Sequence, residues 1–161
     1  MNMNTTKHST KLNRREILFS LGAGSVALVT LTMLPGLARA DKAATDAEMK
    51  KILGGKTAQE GRITLDVPQI AENGNTVQLE VAVDSPMTEK DYVKAVHVFA
   101  DGNPVPNVAS FHFTPASGKA AAATRMRLAK TQNVIALAEM SDGSIYSTQA
   151  AVKVTIGGCG G

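Results

Sequence analysis

One cysteine, three histidines and no tryptophan are all that 161 residues offer to the chemistries that depend on them. A single thiol, Cys159, excludes an internal disulfide, so it must be free, paired between molecules or chemically used. The cysteine pair and core tryptophan that mark antibody domains are missing too. His97 and His112, the histidines beyond the N-terminal leader, stand at a spacing that matches no common zinc motif, and no metal is expected. Both fall in strand-like runs, where hydrogen-bonded structural histidines are the expectation. A basic surface is absent as well. The formal charge of +3 comes from the leader, which holds five of the seventeen Lys and Arg and one of the fourteen acids. The remaining chain has twelve against thirteen, a formal −1, which gives no footprint for nucleic acid.

What is present begins with that leader. Lys7, Lys11, Arg14 and Arg15 precede a moderately apolar run from Ile17 to Leu34, and Ala38-Arg39-Ala40 supplies the small-x-small pattern of a signal peptidase site. Ser20, Gly22, Gly24, Ser25, Thr30 and Thr32 dilute the run below what a retained membrane span needs. The pair Arg14-Arg15, just ahead of a glycine-bearing apolar segment, resembles a twin-arginine signal, the route for proteins that fold before export. Residues 1–40 are therefore expected to be a cleaved signal peptide and the protein to be periplasmic, leaving 121 residues from Asp41, enough for one domain.

The body, residues 41–156, opens with a helix expected over 41–56, with Ala47, Met49, Ile52 and Leu53 as its apolar positions and Gly54-Gly55 as its stop. From Gly61 the period changes to two. Ile63 to Val67 and Val77 to Val83 alternate apolar with polar, and Asn73-Gly74 between them reads as a tight turn needing positive φ. Further strand-like runs are 95–100, 109–113, 122–128, 134–140, 145–149 and 152–156, punctuated by Asp101-Gly102-Asn103-Pro104, 115–118 and Asp142-Gly143. Short strands at this spacing without long helices predict an all-β fold, an immunoglobulin-like antiparallel β-sandwich with a short N-terminal helix. Met87, Met126 and Met140 are expected in the core or an interface. Arg125 and Arg127 are expected on one solvated strand face.

The chain ends in Gly157-Gly158-Cys159-Gly160-Gly161. These glycines have no side chain with which to pack, so residues 157–161 are expected to leave the domain at Ile156 as a flexible arm, holding the Cys159 sulfur about 10 Å from it. No base, cation or helix start lies near in sequence to ionise the thiol, and only a few per cent of an ordinary thiol is ionised at neutral pH. A thiol enzyme needs such a group and fixed oxyanion donors. The expectation is a carrier rather than an enzyme, with activation supplied by whichever protein receives the arm.

The ending Val152-Lys153-Val154-Thr155-Ile156-Gly157-Gly158-Cys159-Gly160-Gly161 resembles the sulfur-binding end of the SoxY family of bacterial thiosulfate-oxidising Sox systems. Glu72-Asn73-Gly74, Val83-Asp84-Ser85-Pro86-Met87-Thr88, Gly102-Asn103-Pro104, Phe113 to Gly118 and Ala138 to Gly143 extend the resemblance through most of the chain. It implies a sulfur carrier whose thiol at Cys159 holds thiosulfate-derived intermediates, without a cofactor of its own. It further implies a heterodimer with a SoxZ-type subunit and transient contact with three enzymes. These are a haem c-type cytochrome that loads thiosulfate, a dimanganese hydrolase that releases sulfate, and a molybdenum sulfane dehydrogenase that oxidises the remaining sulfur. Two other readings stay open. One is an exported structural or adaptor sandwich with an incidental thiol, and the other a sulfur donor bearing a thiocarboxylate on Gly161, against which the export signal and strand number speak.

Overall fold

The structure, a computed structural model, describes residues 37–158. Arg14 and Arg15 of the signal motif and Cys159, Gly160 and Gly161 of the ending lie outside the described residues. Helix α1 spans Leu37–Leu53 and nine strands follow: β1 Gln59–Glu60, β2 Ile63–Asp66, β3 Ile70–Asn73, β4 Val77–Val83, β5 Val93–Ala100, β6 Asn107–His112, β7 Ala120–Met126, β8 Gln132–Met140 and β9 Ile145–Ile156. The helix begins earlier and ends earlier than the expected 41–56. Leu37-Ala38-Arg39-Ala40 are strong helix formers, so a cut after Ala40 would remove only the first turn. At the other end Gly54 and Gly55 take φ of 56° and 88°, the left-handed conformation that stops a helix and that glycine adopts without strain. Among the described residues no helix is long and apolar enough to cross a membrane.

Two sheets make the sandwich. The larger has the order β1-β9-β8-β5-β6, with β3 also pairing β9; the smaller is β2-β4-β7. Strand β4 shows the governing pattern: Val77, Leu79, Val81 and Val83 are buried while Gln78, Glu80 and Ala82 face solvent. Its inward residues meet Val96, Val98 and Ala100 of β5, Val134, Ala136, Ala138 and Met140 of β8, and Val152 of β9 in one core. Met87 and Met126 fill the same core, as expected of them.

On the outer face of the large sheet, Phe99 of β5 and Leu137 of β8 are buried under α1, while His97 and Glu139 stay partly open. Met49, Ile52 and Leu53 pack there against Phe99, Leu137 and Ile145. Replacing Ile52, half-buried in this seam, with Ala is expected to lower unfolding free energy by about 1–2 kcal/mol in urea denaturation. Strands expected separately at 145–149 and 152–156 are one, because Ala150 and Ala151 continue the ladder opposite Val134 and Asn133.

Two strands had no clear sequence signal. β1 has only two residues, and β3 pairs with β9 in parallel, with Ile70 opposite Lys153 and Asn73 opposite Ile156. β3 therefore carries the chain from the small sheet across to the large one between β2 and β4. The turn at Asn73-Gly74 then joins β3 to β4, and neither residue has positive φ. The reason for glycine there is spatial.

Candidate functional site: the root of the C-terminal thiol segment

Strand β9 is long enough to pair with β8 as far as Val152 and then run on beside β3 to Ile156. It therefore delivers its end to one edge of the body, next to the β3–β4 turn and the segment after β7. The side chain of Thr155 donates to the Glu72 carbonyl at 3.0 Å, and Thr131 Oγ1 accepts the Val154 N–H at 3.0 Å. The thiol-bearing end is thus fastened on both sides before the glycines begin.

The first two residues of the expected arm, Gly157 and Gly158, lie against the body, and the rest of it, 159–161, falls outside the described residues. The Gly158 N–H donates to the Leu128 carbonyl at 3.0 Å, and Gly158 is buried. The Gly74 N–H donates to the Ile156 carbonyl at 2.8 Å, and the Gly74 carbonyl accepts the Leu128 N–H at 2.8 Å. Gly157 lies so close to the neighbouring segment that a Cβ on it would stand 2.4 Å from the Ala129 carbonyl oxygen. The absence of side chains, taken from sequence as a licence to leave, is what lets this stretch lie between two backbones. Gly158 is thus the last described residue and is held to the body by its own backbone N–H.

A buried polar network holds the receiving segment. Asn103 and Gln132 are 8 % and 7 % exposed, so each of their polar atoms must be paired within the protein. Asn103 Nδ2 donates to the Arg127 carbonyl at 2.8 Å, and its Oδ1 accepts the Ala129 N–H at 3.0 Å and Gln132 Nε2 at 2.9 Å. Gln132 Oε1 accepts the Gly102 N–H at 2.6 Å. Asp101 ties the same loop to β8 through the Asn133 N–H and side-chain amide, at 2.8 and 2.9 Å. Leu128 itself is fully buried. Gly74, Asn103, Leu128 and Gln132 were missed as site residues in the sequence. The turn signals at Asn73-Gly74 and Gly102-Asn103-Pro104 were visible, but not that both flank the same terminus.

The other candidates lie elsewhere. On the outer face of the large sheet His97 has its ring nitrogens 2.9 Å from Ser110 Oγ and 3.1 Å from Glu139 Oε1, a satisfied pair of bonds. The His112 ring stands edge-on to it at 6.1 Å. Among the described residues no group of His, Cys, Asp and Glu is placed to hold a metal. Arg125 is exposed on β7, whereas Arg127 lies beyond that strand, so the two do not share a strand face as expected. A groove of about 690 Å³ between α1 and the large sheet presents Asp46, Glu60 and Asp101 against Lys42, a poor sign of charge for an anionic sulfur compound. The Asp142 carboxyl is held below the usual carboxylate range by the hydroxyl and N–H of Ser144, at the turn that closes the far end of the β8–β9 hairpin.

The fold and its terminus define a class: an immunoglobulin-like β-sandwich that ends in a glycine-bounded thiol fastened at its root. The family model described as "Sulfur oxidation protein SoxY" matches residues 49–159, Cys159 included, and the chain belongs to this family of sulfur carriers. Among solved structures, the sulfur carrier protein SoxY from Chlorobium limicola f thiosulfatophilum is 33% identical with a TM-score of 0.60, over 71% of this chain and 98% of that one. A superoxide reductase (neelaredoxin) from Ignicoccus hospitalis aligns with a TM-score of 0.52 at 14% identity, over 58% of this chain and 80% of the other, a likeness of fold alone. A putative superoxide reductase from Thermotoga maritima stands the same way, at 19% identity and a TM-score of 0.50 over 62% and 88%. Comparison with curated protein sequences gives no match.

Proposed function

We propose that Cys159 is the covalent attachment point for thiosulfate-derived sulfur, and that the chain serves thiosulfate oxidation by presenting the loaded thiol to partner enzymes in the periplasm. The observation that carries this reading is the family match running through Cys159, the only cysteine, at the end of a strand fastened to one edge of the body. In the loading step the thiolate and the terminal sulfur of thiosulfate form an S–S bond. Two electrons leave to a haem c-type cytochrome, and the product is a cysteine S-thiosulfonate. Water then attacks the sulfonate sulfur in the dimanganese hydrolase. Sulfate departs, and a persulfide remains on Cys159 for a molybdenum sulfane dehydrogenase to oxidise.

Several features of the body favour carriage over catalysis. Its interior is filled by aliphatic side chains, and the groove beside α1 has the wrong charge for a sulfonate. A covalently held intermediate gains effective concentration at each enzyme and does not diffuse away between them. Partnership with a SoxZ-type subunit and export by the twin-arginine route through Arg14 and Arg15 belong to the same proposal.

Intact-mass and peptide mass spectrometry on protein isolated from thiosulfate-grown cells provide the test. The expected result is a thiosulfonate or persulfide mass on the C-terminal peptide, localised to Cys159 and removed by a thiol reductant. An adduct on the Gly161 carboxylate would establish the thiocarboxylate donor instead, and an unmodified terminus would leave the thiol without a carrier role.

A further inference from the structure

Two of the points where backbones meet at the thiol end admit no Cβ. One built on Gly74 would stand 2.3 Å from the Leu128 carbonyl oxygen and 2.6 Å from the Gly158 nitrogen. One built on Gly158 would stand 2.7 Å from the Gly74 carbonyl oxygen and 2.9 Å from its carbon. All four are backbone atoms, which cannot step aside as the tip of a flexible side chain can. Gly74 does not take positive φ, so its conformation gives no reason for glycine. The reason is the approach of two other segments, and Gly74 hydrogen-bonds to both, through its N–H to Ile156 and its carbonyl to Leu128.

We propose that Gly74 is a positioning residue for the carrier thiol. With Leu128 and Gly158 it forms a backbone clasp that sets the root of the arm one residue before Cys159. When the clasp opens, the root retreats to Ile156 and the arm gains two residues, about 7 Å of reach. The use of the clasp rests on the carrier reading of Cys159; its existence does not. Closed, it holds Gly158 against the Asn73–Asn75 turn, so an enzyme that receives the arm in this state must approach that edge of the body. Open, it serves a deeper active site. Among the described residues one hydrogen bond closes Gly158, while the body behind it is held by the Asn103 and Gln132 network, so the clasp belongs to the low-stability end of the molecule and opens without unfolding it.

The test uses the protein as isolated, with backbone amide exchange read by NMR and a nitroxide label on Cys159 read by EPR. The Gly158 amide is expected to exchange roughly fivefold or more slowly than an unstructured glycine amide. Gly74→Ala is expected to remove that protection and sharpen the nitroxide spectrum while the amides of Val134, Ala136 and Leu137 keep theirs. Should Gly74→Ala fail to fold, Gly158→Ala, which meets the Gly74 carbonyl from beyond the last strand, is expected to sharpen the spectrum over an unchanged body. An unprotected Gly158 amide in the unsubstituted protein, or a spectrum unchanged by Gly158→Ala, would overturn the clasp. Neither readout involves thiosulfate, so failure here is distinct from failure of the carrier reading, which shows as no adduct on Cys159.

Discussion

Cys159→Ser is expected to reduce thiosulfate-dependent oxygen uptake by a reconstituted Sox system to background, with unfolding free energy changed by no more than about 0.5 kcal/mol. The loss is total because the proposed loading step forms a disulfide-type bond. A serine hydroxyl is hardly ionised at neutral pH and provides no sulfur for that bond. Stability is spared because position 159 comes three residues after β9 ends at Ile156, and a cysteine-to-serine change removes no carbon from the side chain. Uptake in the variant equal to that of the unsubstituted protein would show that sulfur travels on some other group, and the adaptor reading would take its place.

A second substitution acts through the body. Asn103→Ala removes the side-chain partner of the Arg127 carbonyl and the Ala129 N–H and one of the two partners of Gln132 Nε2, which keeps the Lys130 carbonyl, leaving part-buried backbone groups without it. A loss of about 2–4 kcal/mol in unfolding free energy is expected, a large share of the margin of a domain this size. Because Leu128 and Ala129 receive the glycines of the terminus, exchange at the Gly158 amide is expected to quicken more than exchange in β5. Chemical denaturation with amide exchange checks both parts, and an unfolding free energy within 0.5 kcal/mol of the original would show that water or Gln132 replaces the lost bonds.

Much of this was legible in the residues because the signals were local. Alternation along Val77 to Val83 needs only the period of a pleated strand, and the observed strand has those bounds. Gly54-Gly55 stopped the helix where a left-handed conformation was required. Where the sequence misled, the cause lay at a distance. β3 has little alternation of its own and becomes a strand because β9 offers it a parallel edge. Asn73-Gly74 looks like an ordinary turn in one dimension. Its neighbours Leu128 and Gly158 come from far along the chain, and nothing near Gly74 announces them.

By its own residues the chain determined a two-layer β body, a helix with one apolar stripe and a lone thiol among terminal glycines, since periodicity, stop signals and composition act between near neighbours. Tertiary structure alone decided where that terminus is held. A glycine's lack of Cβ permits both departure and close approach, and only the carbonyls of Leu128 and Gly74, brought together by the pairing of distant strands, select the second for Gly158.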